Sequence, residues 1–213
     1  MSIRKNPALA ASGRKSAYVA RNRLSILKAT QKVLAEEGAG ASIDQFAEVA
    51  AVSVSTIYKH FENKEALIAA AFLEAFRDWE DWCDLQVVGT TDPLEELVLP
   101  MRYFLRLKRT HPLYAQMNLN NLALASSYMA SIEIGLLNHI SELSKKKILN
   151  IQDTKIRVRS VSACVFAALV EQLTNPDAKE SDADKAIQVI LGILGLSDTQ
   201  AKQLSSSKIP NLK

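Results

Sequence analysis

The chain has 213 residues, 48% of them hydrophobic and 23% charged, with only 7 Gly and 6 Pro. That length and balance exclude a disordered or low-complexity chain and allow no more than two domains, built mainly from long helices. The net charge of +3 is unevenly placed: residues 1–65 hold 10 Lys/Arg against 6 Asp/Glu, and Met1–Lys32 hold eight basic residues and no acid. Such a basic end suits a nucleic-acid partner, or a solvated tail, and the remainder is close to neutral.

Two functional classes are set aside early. Cys83 and Cys164 have no His or Cys at metal-ligand spacing and read as small apolar residues of a reducing cytoplasm, so no metal or cofactor is expected. His60, His111 and His139 lie in three separate segments, and the chain has no nucleophile elbow and no Gly-rich phosphate loop, which gives catalysis little support. No apolar core of signal-peptide type follows Arg4 and Lys5, so export is not expected. The interval Thr110–Ile132 runs 23 residues without a charge, but Pro112, Gln116, Asn118, Asn120 and Asn121 make it protein interior rather than a membrane span.

In chain order, residues 1–17 mix Arg, Lys, Ser, Pro and Gly with little periodicity and are expected as a flexible basic arm. From about Tyr18 to Glu37, Ile26, Leu27, Val33 and Leu34 form an apolar stripe at helical spacing, and Gly38 and Gly40 end that helix. Ser42–Lys64, SIDQFAEVAAVSVSTIYKHFENK, reads as two short helices about a tight turn. Ser42 and Gln45 make a capping box, Phe46, Ala47 and Ala50 an apolar stripe, and Ser53 a cap for a second helix closing near His60-Phe61. This is a helix-turn-helix, whose second helix enters the DNA major groove.

Asn63 caps a long fourth helix reaching about Gln86. After Gly89-Thr90-Thr91, Asp92-Pro93 with Glu95 starts another, which Pro100 should kink or split. His111-Pro112 ends it, and the charge-free interval supplies one or two further helices. An amphipathic helix from about Ser127 to Lys147 follows, then helices at about Asp153–Asn175 and Asp182–Leu194. The last two contain SVSACVFAALV and AIQVILGILGLS, free of charge all round, so each needs cover on two sides. Pairing with the same helices of a second subunit is the expectation, through Val161, Val165, Ala168, Leu169, Ile187, Ile190, Leu191 and Leu194, with ordinary core burial as the competing account.

The stretches ILKATQKVLAEEGAGAS and IDQFAEVAAVSVSTIYKHFENKEALIAAAF, above all Tyr-Lys-His-Phe followed by Asn-Lys-Glu-Ala-Leu, resemble the DNA-binding domain of the TetR family of bacterial transcriptional regulators over about residues 21–72. The resemblance implies an all-α chain: a three-helix head at 18–64 joined by a long helix to a helical ligand-binding and dimerisation domain at 65–213. It implies a cytoplasmic homodimer on a palindromic double-stranded operator. It departs from the family at Ala51 and Ser55, where Gly is common; Ala51 is expected to keep a negative φ, and Ser55 adds a hydroxyl beside the DNA.

Chemistry and matched position together assign the head's side chains. Ser42, Thr56, Tyr58 and Lys64 suit phosphate oxygens, as does His60, while Val54, Ser55 and Lys59 suit base edges. Ser53 is a further DNA-contact candidate, and Ser42 and Ser53 have a plain alternative role as helix caps. For a ligand pocket the candidates are Trp79, Trp82, Tyr103, Phe104, Tyr114, Met117, Asn118, Asn121 and Tyr128, aromatic and apolar walls with a few amides, although the same residues would serve as core. The expected function is a repressor released from its operator by a small, largely neutral or apolar ligand. The alternative is a TetR-like DNA-binding protein governed by a protein partner, with no small-molecule effector.

Overall fold

The structure is a computed structural model. It describes residues 7–210 and 212, without the side chains of residues 7–16 and 128–132. No strand occurs among the described residues. The helices are α1 (Pro7–Glu36), α2 (Ile43–Val49), α3 (Val54–His60), α4 (Lys64–Val87), α5 (Pro93–Phe104), α6 (Leu107–Thr110), α7 (Pro112–Asn120), α8 (Leu122–Lys145), α9 (Thr154–Thr174), α10 (Glu180–Ile193) and α11 (Asp198–Ser206).

Local chemistry sets most helix starts. Ser42 Oγ accepts from Gln45 N at 3.3 Å while Gln45 Oε1 accepts from Ser42 N at 2.6 Å, so the capping box satisfies two amides at the start of α2. Ser53, Asn63 and Asp92 each place a side-chain oxygen on an amide of α3, α4 and α5 respectively. α1 packs against α2, α4 and α7, and Ile26, Leu27, Leu34, Phe46, Ile57 and Leu67 close the head's core at 1% exposure or less. In the body α8, α9, α10 and α11 pack in succession, with α5 against α10 and α11.

The structure departs from the sequence reading in three places. α1 begins at Pro7, so residues 7–17, expected as an arm, continue the helix; Met1–Asn6 lie outside the described residues. α5 passes through Pro100 without splitting. The proline removes one backbone bond, but buried Leu97, Val98, Leu99 and Met101 on either side anchor the segment to the core. α11 was not anticipated, although Ser197 and Gln200 form the same capping box as Ser42 and Gln45. No helix among the described residues is long and apolar enough to cross a membrane.

Candidate nucleic-acid interface and ligand cavity

The second helix of the motif turns one face inward and one outward. Ile57 is fully buried and Phe61 nearly so, which fixes α3 to the head. Tyr58 is 48% exposed, and Ser53, Ser55 and Lys59 are exposed with it. Val54, Thr56, His60 and Lys64 are half-buried, and Val54 packs against the core. Ser53 Oγ accepts from Thr56 N at 3.2 Å and lies 2.9 Å from both Ser55 Oγ and Thr56 Oγ1, so three hydroxyls cluster at the start of α3. The Arg23 guanidinium of α1 stands 4.9 Å over the Phe61 ring, holding a cation at the far end of the same helix.

Ala51 corrects an expectation. Its φ is +53°, in the left-handed region, because the chain must reverse between α2 and α3 in the few residues from Ala50 to Ser53. The Cβ crowds the carbonyl there, a strain of about 1–2 kcal/mol that glycine avoids. Ala51→Gly is therefore expected to raise stability by about 1 kcal/mol, after allowing for glycine's larger unfolded-state entropy. Chemical denaturation checks this, and a loss of stability would show that Ala51 is unstrained.

The body holds a cavity of about 220 Å³ between four helices. α4 contributes Phe76, Trp79, Glu80, Cys83 and Asp84; α5 contributes Glu96, Leu97, Pro100, Met101 and Phe104; α8 gives Gly135, Leu136 and His139, and α9 gives Ser162 and Val165. Trp79 meets Phe104 edge-on at 5.2 Å and lies 5.5 Å from Phe76. The indole Nε1 of Trp79 and the hydroxyl of Ser162 are buried and have no hydrogen-bond partner among the described residues. Glu80, Asp84 and Glu96 are solvent-exposed. Although the Glu80 residue is exposed as a whole, partial desolvation of its carboxyl, reinforced by Asp84 and Asp81, pushes it above the usual range, and burial with Asp84 and Glu80 keeps the Cys83 thiol protonated.

Of the nine residues expected at a pocket, Trp79 and Phe104 line this cavity. Trp82 and Tyr103 do not: their rings meet edge-on at 5.0 Å, Trp82 also meets His111 at 5.0 Å, and Tyr103 Oη donates to Pro210 O at 2.7 Å. Tyr114 and Met117 line a second hollow of about 340 Å³ between α1, α4 and the start of α7, where Lys28 pairs with Asp78. Asn118 Nδ2 donates to Tyr114 O at 2.8 Å. Asn121 joins body to head, its Nδ2 donating to Leu34 O at 2.9 Å and its Oδ1 accepting from Ala39 N at 2.7 Å. The Tyr128 side chain lies outside the described residues. Glu80, Cys83, Met101, His139 and Ser162 were not anticipated, and their spacing alone gives no sign that four helices converge on one hollow.

The expected interface residues also need correction. Val161, Val165, Leu169, Ile187, Ile190, Leu191 and Leu194 are buried within the chain itself, and only Ala168 keeps partial exposure. α9 and α10 pack on one another and consume those side chains. What they leave outward is Ala163, Cys164 and Ala167 on α9, with Gly192 and the 75% exposed Val189 on α10. Among the described residues no group of three or more His, Cys, Asp or Glu is placed to hold a metal ion.

Residues 26–71 match the family model of the bacterial regulatory proteins, tetR family. Among solved structures the chain is similar to RolR in complex with resorcinol, at 17% identity and a TM-score of 0.74, covering 93% of this chain and 100% of that one. It is similar to the fatty acid degradation regulator FadR from Bacillus halodurans, at 19% identity and a TM-score of 0.61, covering 82% and 93%. NalD, the secondary repressor of the MexAB-OprM multidrug efflux pump in Pseudomonas aeruginosa, is similar at 18% identity and a TM-score of 0.61, covering 81% and 94%. At these identities the likeness is one of fold. No curated protein matches the chain.

Proposed function

We propose that this chain, a TetR-family transcriptional regulator by its matched head and its all-helical fold, is a repressor that leaves a palindromic operator when a small, largely neutral or apolar ligand enters the cavity between α4, α5, α8 and α9. The observation that carries the DNA-binding part is α3, with Ile57 and Phe61 buried and Ser55, Tyr58 and Lys59 outward. Lys59 and Ser55 read base edges, Lys59 toward guanine, while the inward lean of Val54 leaves it at most a contact with a thymine methyl. Tyr58, Thr56, His60, Lys64 and Ser42 fix register on phosphates, Ser42 and Ser53 serving also as caps.

Operator selection from random DNA followed by titration tests the assignment. Tyr58→Phe and Lys59→Ala are each expected to weaken operator binding about tenfold to a hundredfold while leaving helicity intact, and binding of the native protein is expected to fall steeply with added salt. Unchanged affinity in both variants sinks it.

The release step rests on α4. Its first turn, capped by Asn63, adjoins the end of α3, and its middle forms a cavity wall through Trp79 and Cys83. A ligand that favours another placement of α4 shifts the population away from the spacing of about 34–36 Å that two heads need. Support for a small effector comes from RolR, solved with resorcinol.

The second subunit docks on the outward face of α9 and α10, where Ala163, Cys164, Ala167 and Gly192 allow close approach around Val189. Val189→Glu places a charge in that contact and is expected to yield a monomer in sedimentation equilibrium, with the palindrome preference lost. A dimer of unchanged affinity would place the interface elsewhere.

A further inference from the structure

Trp79 is 6% exposed and Ser162 4% exposed, and both line the cavity. Among the described residues the indole Nε1–H and the hydroxyl are each buried without a partner, a condition that costs free energy. An indole N–H only donates, so a cavity occupant that reaches it completes it only through an acceptor atom. The walls around it are the Phe76, Trp79 and Phe104 rings, which favour a flat apolar body meeting ring edges and faces.

Charge narrows the class further. Glu80, Asp84 and Glu96 are exposed at the cavity's edge, and among the described residues no Lys or Arg lines it. An anionic ligand therefore meets carboxylates without a compensating permanent cation. An ammonium group pairs with the carboxylates but has only donors and cannot complete the indole N–H. We infer that the cavity takes an uncharged aromatic compound bearing a hydrogen-bond-accepting oxygen, anchored by Trp79 Nε1 and by Ser162 Oγ. This rests on the cavity being the effector site proposed above.

The test uses four probes of similar size on the full chain: acetophenone, ethylbenzene, benzoate and benzylammonium, titrated by tryptophan fluorescence and calorimetry. Acetophenone is expected to bind about fivefold to tenfold tighter than ethylbenzene, the worth of one or two neutral hydrogen bonds, and tighter than either ion. Ser162→Ala and Trp79→Phe are each expected to shrink the preference for acetophenone over ethylbenzene. Ser162→Ala should in addition raise the melting temperature of the unliganded protein, because it removes a buried hydroxyl that has no partner. Equal binding of acetophenone and ethylbenzene, tighter binding of benzoate or benzylammonium, absence of binding by all four, or a preference unmoved by both substitutions would each overturn the inference. Operator release is read separately: acetophenone that binds with the expected preference yet leaves the operator occupied retains the ligand class and removes the release step.

Discussion

Arg102→Leu is expected to lower stability by about 3–5 kcal/mol, the scale for removing one member of a buried ionic network. Arg102 is 2% exposed on α5, and its Nε donates to Asp184 Oδ1 at 3.1 Å. Its Nη1 reaches Ser207 O at 2.8 Å, Ser207 Oγ at 3.1 Å and Leu204 O at 3.3 Å, so one guanidinium fastens α10 and the end of α11 to the same helix. Arg106, 4% exposed, donates to the second Asp184 oxygen at 2.8 Å and to Glu180 at 3.1 Å. Removing Arg102 leaves the Ser207 carbonyl short of a donor, the Leu204 carbonyl with Ser207 Oγ alone, and Asp184 with one partner in place of two. Leucine keeps apolar volume, so the loss reads the network rather than a cavity. Arg102→Lys is expected to recover only part, since one ammonium cannot match a planar fork spread over three acceptor residues. Urea denaturation monitored by circular dichroism measures both. A loss under about 1 kcal/mol for Arg102→Leu would mean that the charges were balanced by solvent all along.

That network shows where sequence reading runs out. The caps of α2, α3, α4 and α5 were legible because Ser42, Ser53, Asn63 and Asp92 meet partners two or three residues away. Arg102 and Asp184 are 82 positions apart, and nothing local in either segment names the other. The late helices teach a similar lesson: the charge-free stretches SVSACVFAALV of α9 and AIQVILGI of α10 announced burial, but only packing decides that Val161 and Ile187 turn inward while Cys164 and Val189 turn out. Trp79 and Trp82 lie three residues apart on one helix, yet one walls the cavity and the other meets Tyr103 and His111 edge-on. Ala51 misled for a different reason. Alanine is an ordinary turn residue with negative φ, and only the tight reversal between two helices forces it positive.

Asn121→Asp is expected to damage the join between head and body more than Asn121→Ala does. The native amide is 6% exposed and uses both ends: Nδ2 donates to Leu34 O at 2.9 Å and Met117 O at 2.8 Å, and Oδ1 accepts from Ala39 N at 2.7 Å. Beside it Asn120 Nδ2 donates to Ala35 O at 2.6 Å, so the α7–α8 junction satisfies carbonyls in the last turn of α1 that have no helical partner. Alanine deletes the three bonds of Asn121 and leaves buried groups unpaired, a cost of about 2–4 kcal/mol. Aspartate keeps the acceptor for Ala39 but turns an oxygen toward the two carbonyls that the amide served, adding repulsion to the loss. Because α1 carries the helix-turn-helix on its other side, through its packing on α2, the damage is expected to reach DNA binding. Unliganded operator affinity should fall, and the effect of an effector on it should shrink, since the head no longer follows the body. Hydrogen exchange at the Ala39 amide reports the join directly, with faster exchange expected in the alanine variant than in the native protein. An aspartate variant as stable as the native protein would show that the head is held by apolar packing and not by these three hydrogen bonds.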